Sequence, residues 1–153
     1  MTQAGFNKLE AELKNLKSVE RPAVIESISE ARGHGDLKEN AEYHAAKERQ
    51  SFIEGRIKEL DGVVSAANII DISTLSGETV KFGATVKLAD EDTGDEVQYQ
   101  IVGPYESDAD NGKISTTAPI ARGLMGKNVG DSVEIRTPKG VKFYEVLEVS
   151  YIA

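Results

Sequence analysis

The sequence predicts an α+β protein, in which an N-terminal antiparallel α-helical coiled-coil hairpin is followed by a β-rich C-terminal domain. Over the first 67 of the 153 residues, apolar side chains recur at spacings of three and four, which is typical of a coiled-coil seam. Beyond residue 67, apolar and polar side chains alternate, as they do in half-buried strands. This change of period predicts two domains, which we place at residues 1–75 and 76–153.

A symmetry within the helical half predicts the hairpin. If the chain folds back at residues 34 and 35, apolar positions whose numbers sum to about 70 face each other. These pairs are Phe6 with Val64, Leu9 with Leu60, Leu13 with Ile57, Leu16 with Ile53, Ile25 with Ala45 and Ile28 with Ala41. Helices of about 30 residues extend about 45 Å, so the hairpin is predicted to be an arm that reaches a distant site. Pro22 predicts a kink near residues 20–21, because proline removes a helical hydrogen bond.

The C-terminal half carries the signals of a sheet. Alternation is clearest at residues 97–101 and 132–136, and turn-forming residues at 90–95 and 138–140 predict hairpin loops. One short helix is predicted to begin at Pro119 and to end before Gly126. Most of the aromatic residues that follow position 80 are expected in the core; they are Phe82, Tyr99, Tyr105, Phe143, Tyr144 and Tyr151.

Composition excludes several classes of function. The chain has no cysteine and two histidines, so disulfides, thiolate nucleophiles and closed zinc sites are not expected, and neither is a tightly bound cofactor. A net charge of −8 disfavours tight autonomous binding to nucleic acid, which depends on Lys and Arg. Residues 1–67 hold 10 basic and 12 acidic side chains, whereas residues 68–153 hold 8 and 14. Without a long apolar run or a secretory leader, we expect a cytoplasmic protein with no membrane contact.

An acidic turn joins the two predicted helices at residues 33–43, with the sequence GHGDLKENAEY. Asp36 and Glu39 have the spacing of a capping box, in which both carboxylates stabilise the start of a helix. Two exposed carboxylates at the end of a long arm also suit a hard cation, because Mg²⁺ often takes one or two protein carboxylates. Two carboxylates make only part of a coordination shell, so a partner must supply the other ligands. The two interpretations are compatible with each other.

The tip also resembles a known family. Residues 31–47, ARGHGDLKENAEYHAAK, are similar to the tip signature of the bacterial Gre transcript-cleavage and elongation factors, of GreA type. Residues 52–57, FIEGRI, and residues 115–127, STTAPIARGLMGK, also resemble that family. The resemblance covers nearly the whole chain and implies an FKBP-like fold for the C-terminal domain.

What the resemblance implies is an accessory factor and not an enzyme. Such a factor docks on a backtracked bacterial RNA polymerase, inserts its arm into the secondary channel and stimulates the polymerase's own cleavage of the nascent RNA 3′ end. Asp36 and Glu39 match the family's tip acids, which hold an Mg²⁺ ion shared with the polymerase. Three neighbours are expected to support the tip: Asn40, Glu42 and Tyr43.

Further contacts follow from the same resemblance. Arg32 and Lys47 are candidates for contact with the RNA 3′ end, although basic residues on a helix often only form ion pairs on its surface. Docking of the second domain on the polymerase rim is expected to use Pro119, Ile120 and Arg122, and the factor is expected to be a monomer. Two alternatives stay open: an inhibitory relative that occupies the channel without promoting cleavage, and a prolyl isomerase or chaperone.

Overall fold

The structure is a computed structural model that describes residues 1–33, 35 and 40–152. The chain divides into two compact units. The arm is Phe6–Ala67, and the sheet unit combines Met1–Gly5 with Asn68–Ala153. The domain boundary placed between residues 75 and 76 stays a prediction.

The arm consists of two antiparallel helical stretches, as predicted. The first stretch contains helix α1 (Gln3–Asn15), a π-helical turn (Leu16–Glu20) and helix α2 (Arg21–Arg32), and the second is helix α3 (Ala41–Ser65). Helix α2 packs against helix α3. The buried seam is formed by Leu9, Leu13, Leu16, Val24, Ile28, Ala31, Ile53, Ile57 and Leu60.

The π-helical turn explains how the first stretch accommodates Pro22. Pro22 directly follows the π-helical turn, so the irregularity of the helix lies where proline cannot donate a backbone hydrogen bond. A π-helical turn holds an extra residue, so the seam resumes at Val24 instead of position 23. Val24 is 1% exposed whereas Ile25 is 51% exposed. The predicted pairing of Ile25 with Ala45 is therefore wrong.

The predicted seam is also wrong at the end near the tip. Ala41 is exposed, so it does not cover Ile28 in the way that the symmetry about residue 34 predicts. On α3 the partly buried positions towards the tip are Tyr43, Ala46 and Gln50, which continue the spacing of three and four from Ile53.

Ion pairs on the arm surface join the two helical stretches. They connect Arg21 to Glu54 at 2.7 Å, Arg49 to Glu20 at 2.7 Å, Arg56 to Glu12 at 2.9 Å and Lys17 to Asp61 at 2.9 Å. In each pair a residue before the tip meets one after it, as an antiparallel hairpin requires.

The sheet unit is built on five strands: β1 (Thr85–Asp90), β2 (Glu96–Val102), β3 (Lys113–Ser115), β4 (Ser132–Thr137) and β5 (Gly140–Ser150). Their order is β3-β2-β1-β5-β4, and all neighbours are antiparallel except β2 and β3. Both predicted hairpin loops are confirmed, since they connect β1 to β2 and β4 to β5. The short helix is also confirmed as α4 (Pro119–Leu124).

Aliphatic side chains fill the core of the sheet unit. The buried cluster contains Val80, Ala84, Val86, Leu88, Ile101, Ala121, Leu124, Val133, Ile135 and Val146. Tyr99, Tyr144 and Tyr151 pack against this cluster but are only partly buried. Tyr105 and Phe143 are exposed by 43% and 41%. The expectation that most aromatic residues lie in the core was therefore only partly right.

A buried carboxylate holds the first residues of the chain in the sheet unit. Glu106 is 7% exposed and accepts hydrogen bonds from the backbone N–H of Thr2 at 2.6 Å and of Gly103 at 2.8 Å. The Thr2 hydroxyl also donates to this carboxylate and accepts from the Gly5 N–H at 3.0 Å. Within the described part of the chain, no helix is long and apolar enough to cross a membrane.

Candidate functional site

The tip of the arm lies between two well-defined helix ends. Helix α2 ends at Arg32, and the N–H of the following Gly33 donates to the Glu30 carbonyl at 3.1 Å. Helix α3 begins at Ala41, with Asn40 as its N-cap. The two candidate acids, Asp36 and Glu39, lie outside the described residues, so their predicted role stays a prediction.

Asn40 makes two hydrogen bonds with its side chain. Its Oδ1 accepts from the Tyr43 N–H at 3.0 Å, which is the N-cap bond that a helix start requires. Its Nδ2 donates to the Ala31 carbonyl at 2.6 Å, nine residues earlier in the chain. The capping-box interpretation, with Asp36 as the N-cap and Glu39 three residues later, is wrong for α3 because Asn40 occupies that position.

Two other supporting residues lie in the first turn of α3. Glu42 is exposed there, where the positive end of the helix dipole favours a carboxylate. Tyr43 is partly buried, and its ring packs edge-on against His44 with 5.6 Å between ring centroids. The described structure thus places Asn40, Glu42 and Tyr43 together beside the tip.

Four basic residues of the arm differ in whether they form ion pairs. Arg49 and Arg56 form the ion pairs with Glu20 and Glu12 described above. Among the described residues, Arg32 makes no ion pair, and Lys47 donates a hydrogen bond to the Gln50 side chain at 3.3 Å.

Arg32 and Lys47 come together at a pocket on the arm of about 230 Å³. Its lining consists of Ile25, Ile28, Ser29, Arg32, Lys47 and Gln50. The two cations proposed for RNA contact therefore border one site, and the half-exposed Ile25 supplies an apolar surface beside them.

The candidate docking residues lie on helix α4 of the sheet unit. Pro119 and Arg122 are exposed, whereas Ile120 is partly buried and packs against the core. Ala121 and Leu124 are fully buried and anchor the helix. Pro119 and Arg122 are therefore the accessible members of the predicted surface, and their role stays a prediction.

A larger pocket of about 610 Å³ lies in the sheet unit. It is lined by Thr2, Gln3, Ala4, Ile69, Ile70, Asp71, Ile72, Thr85, Gln98, Gln100, Asn111, Gly112, Lys113 and Ile152. Aliphatic and polar side chains form this lining without an aromatic ring. A prolyl isomerase pocket needs aromatic walls that desolvate the proline, so the lining does not favour that activity.

Among residues 1–33, 35 and 40–152, no cluster of three or more His, Cys, Asp or Glu side chains could hold a metal ion. The Mg²⁺ ion that Asp36 and Glu39 are expected to share with a partner stays a prediction, because both residues lie outside the described part of the chain.

The chain resembles known proteins over nearly its whole length. Residues 1–69 match the family model described as transcription elongation factor, N-terminal, and residues 75–151 match the one described as transcription elongation factor, GreA/GreB, C-term. The chain is 64% identical over 151 residues to a protein from Rhodospirillum rubrum named Transcription elongation factor GreA, covering 99% of this chain and 96% of that protein. Identity to a protein of the same name from Phenylobacterium zucineum is 59% over 152 residues, covering 99% and 97% of the two chains.

Among solved structures, GreA factor homolog 1 (Gfh1) of Thermus thermophilus is 30% identical, with 97% of this chain and 96% of that chain covered and a TM-score of 0.44. The chain has a helical hairpin followed by a mixed sheet, and a family model of transcription elongation factors matches each half. The chain is therefore of the class of bacterial transcription elongation factors. Within that class, the chain belongs to the GreA/GreB family.

Proposed function

We propose that this protein rescues backtracked, arrested RNA polymerase by stimulating the polymerase's own cleavage of the nascent RNA 3′ end. The arm enters the secondary channel and brings Asp36 and Glu39 to the polymerase active centre. The observation that carries the proposal is the tip sequence, in which two carboxylates three residues apart lie between the ends of a 12-residue and a 25-residue helix.

The arm has the properties that such a role needs. Its seam side chains are buried within the hairpin, and four ion pairs hold its two helical stretches together. Helix α3 alone, with 25 residues, extends about 38 Å. An arm that is stabilised along its length can present the residues at its end to a partner.

The chemistry of the tip supports completion of another protein's metal site. Asp36 and Glu39 would hold Mg²⁺ together with groups of the polymerase, since carboxylate oxygens suit a hard cation. When bound, the ion lowers the pKa of water and stabilises charge on the attacking and leaving oxygens. The chain's contribution is to supply and orient two anionic oxygens. The polymerase is therefore the nuclease, and this protein is an accessory factor.

Arg32 and Lys47 are proposed to contact the RNA 3′ end. They border one pocket on the arm and are not used in ion pairs among the described residues. Cations attract the phosphates of RNA, and an adjacent apolar surface such as that of Ile25 suits a base or ribose. Because the chain has a net charge of −8, the free protein is not expected to bind nucleic acid tightly.

The C-terminal domain is proposed to dock on the polymerase rim through Pro119, Ile120 and Arg122. The exposed Pro119 and Arg122 are carried by a helix whose inner side chains are buried in the core, so their backbone positions are fixed before binding. A backbone that is already ordered lowers the entropy cost of association. We propose that the factor acts in the cytoplasm as a monomer bound to one polymerase.

The direct test mixes the purified protein with a stalled, backtracked bacterial elongation complex and Mg²⁺. We expect shortened RNA that the polymerase can extend again after nucleotides are added. RNA incubated with the protein and Mg²⁺ but without polymerase should stay intact, because the tip lacks a complete coordination shell. The proposal is wrong if the complex yields no added cleavage, or if the free protein cleaves RNA by itself.

A further inference from the structure

The two hydrogen bonds of Asn40 join the helices on both sides of the tip. Ala31 lies in the last turn of α2, where carbonyl groups have no partner within the helix, and the Nδ2 of Asn40 satisfies one of them at 2.6 Å. Tyr43 lies in the first turn of α3, where N–H groups have no helical partner, and the Oδ1 of Asn40 accepts from it at 3.0 Å. A single side chain therefore bonds to both helix ends.

Few side chains can make both bonds. The carboxamide of Asn has one acceptor oxygen and a nitrogen with two N–H donors, so it can cap α3 and donate to α2 at the same time. Asp and Ser are good N-cap residues, but an ionised Asp has no donor for the Ala31 carbonyl. The Ser side chain is shorter than that of Asn, so its hydroxyl does not span both helix ends. The bond to Ala31 is thus a property of Asn40 that its role as N-cap does not require.

We propose that Asn40 is a positioning residue of the tip, which keeps the ends of α2 and α3 at a fixed separation so that Asp36 and Glu39 are presented as a pair. This inference rests on the proposed function. Residues 34–39 connect the two helix ends, and Glu39 directly precedes Asn40. Fixing the separation of the two helix ends reduces the number of conformations that the residues between them must give up when two carboxylates bind one cation.

Two substitutions separate this anchoring bond from the cap. Asn40→Asp keeps an oxygen that can accept from Tyr43, but it loses the donor to Ala31 and places a negative group near that carbonyl. Asn40→Ser keeps the cap without adding a charge, so it controls for any effect of a third carboxylate on Mg²⁺. Arg21→Gln is the matched control, since it removes a bond between the helices far from the tip.

The experiment measures cleavage in backtracked complexes over a range of Mg²⁺ concentrations, together with polymerase binding by competition and the melting temperature of each variant. We expect both Asn40 variants to bind polymerase as the wild type does but to cleave about five- to tenfold more slowly at low Mg²⁺. The Mg²⁺ concentration for half-maximal cleavage should rise for both. Arg21→Gln should leave that concentration unchanged, because loss of arm stability alone does not alter the tip.

Amide hydrogen exchange tests the bond without polymerase. In Asn40→Asp and Asn40→Ser, exchange should become faster in the last turn of α2 while the capped N–H of Tyr43 stays protected. If the wild type stimulates cleavage and both variants match it in rate and Mg²⁺ dependence, the positioning role is wrong and the proposed function stands. If the wild type does not stimulate cleavage, the proposed function fails, and the positioning role fails with it.

Discussion

Arg21 and Glu54 form a two-bond ion pair across the arm, with Nε 2.7 Å from Oε1 and Nη2 2.9 Å from Oε2. The hydrogen bond from Arg21 lowers the pKa of Glu54 below its ordinary value of 4.5, and the same bond raises the pKa of Arg21. Because the pKa of Glu54 is lower in the folded arm than in the unfolded chain, the pair stabilises the arm above pH 4.5. This contribution is lost as the pH falls through the lowered pKa.

Glu54→Gln should therefore reduce the pH dependence of arm stability. The variant is expected to be less stable than the wild type at pH 7, and the difference should shrink below the ordinary Glu pKa of 4.5. Thermal melting, followed by the helical circular-dichroism signal at pH 7 and below pH 4.5, measures the difference in stability. Glu48→Gln, which changes an exposed carboxylate on the same helix, is the control and should show a smaller difference. Equal pH dependence of stability in the two variants would contradict a stabilising role of the Arg21–Glu54 ion pair.

Leu60→Ala should destabilise the arm strongly, while Phe52→Ala on the same helix should not. Leu60 is fully buried in the seam, and truncating such a leucine costs about 2–5 kcal/mol through lost burial and a cavity. Phe52 is 72% exposed, so its loss should change the free energy of unfolding by no more than about 0.5 kcal/mol. Chemical denaturation followed by the helical signal compares the two variants. A similar loss for both would mean that the seam is misassigned.

Two glycine substitutions should have opposite effects. A Cβ at Gly5 would overlap the buried carboxylate of Glu106, so Gly5→Ala should destabilise the sheet unit by about 1–3 kcal/mol. A Cβ at Gly55, inside α3, would meet no atom within 4 Å, and Gly55→Ala should stabilise the arm by about 0.5–1 kcal/mol. Melting curves of the two variants test both directions, and a stable Gly5→Ala protein would show that Glu106 does not hold the first residues in place.

Docking through α4 predicts that Arg122→Ala weakens polymerase binding without loss of fold. Truncation of an interface anchor costs about 1–2 kcal/mol, which is roughly a five- to thirtyfold weaker Kd. Arg136→Ala on β4 is the control, since the Arg136 side chain is 81% exposed and lies outside the proposed surface. Competition with labelled wild-type protein gives both affinities. Equal weakening by the two substitutions would indicate a general charge effect instead of a docking site.

Local periodicity was sufficient to predict the helical arm and both strand hairpins, since these depend on residues near each other in the chain. The fixed spacing of three and four predicted most of the seam, but it failed beyond Leu16 because the π-helical turn adds a residue. Pro22 signalled an irregularity at that point without indicating its form. The choice between Val24 and Ile25 therefore needed the structure.

Long-range contacts were less accessible to sequence reasoning. The burial of Glu106 depends on Thr2, 104 residues away, and acidic residues in a loop are usually exposed. The parallel pairing of β2 with β3 likewise has no local signal. At the tip, Asp36 and Asn40 are equally good N-cap types, so only the start of α3 at Ala41 distinguishes them.

The central claim is that Asp36 and Glu39 act through their negative charge, and it is tested most directly by Asp36→Asn and Glu39→Gln in a cleavage assay with backtracked polymerase. Both substitutions keep side-chain shape but remove anionic oxygens that Mg²⁺ requires. We predict that each variant keeps polymerase affinity and melting temperature but stimulates cleavage at least about tenfold less, equivalent to about 1.4 kcal/mol of transition-state stabilisation, with partial recovery at high Mg²⁺. Glu48→Gln should cleave like the wild type. Unchanged cleavage in both tip variants, or a defect that follows a fall in melting temperature, would contradict the account.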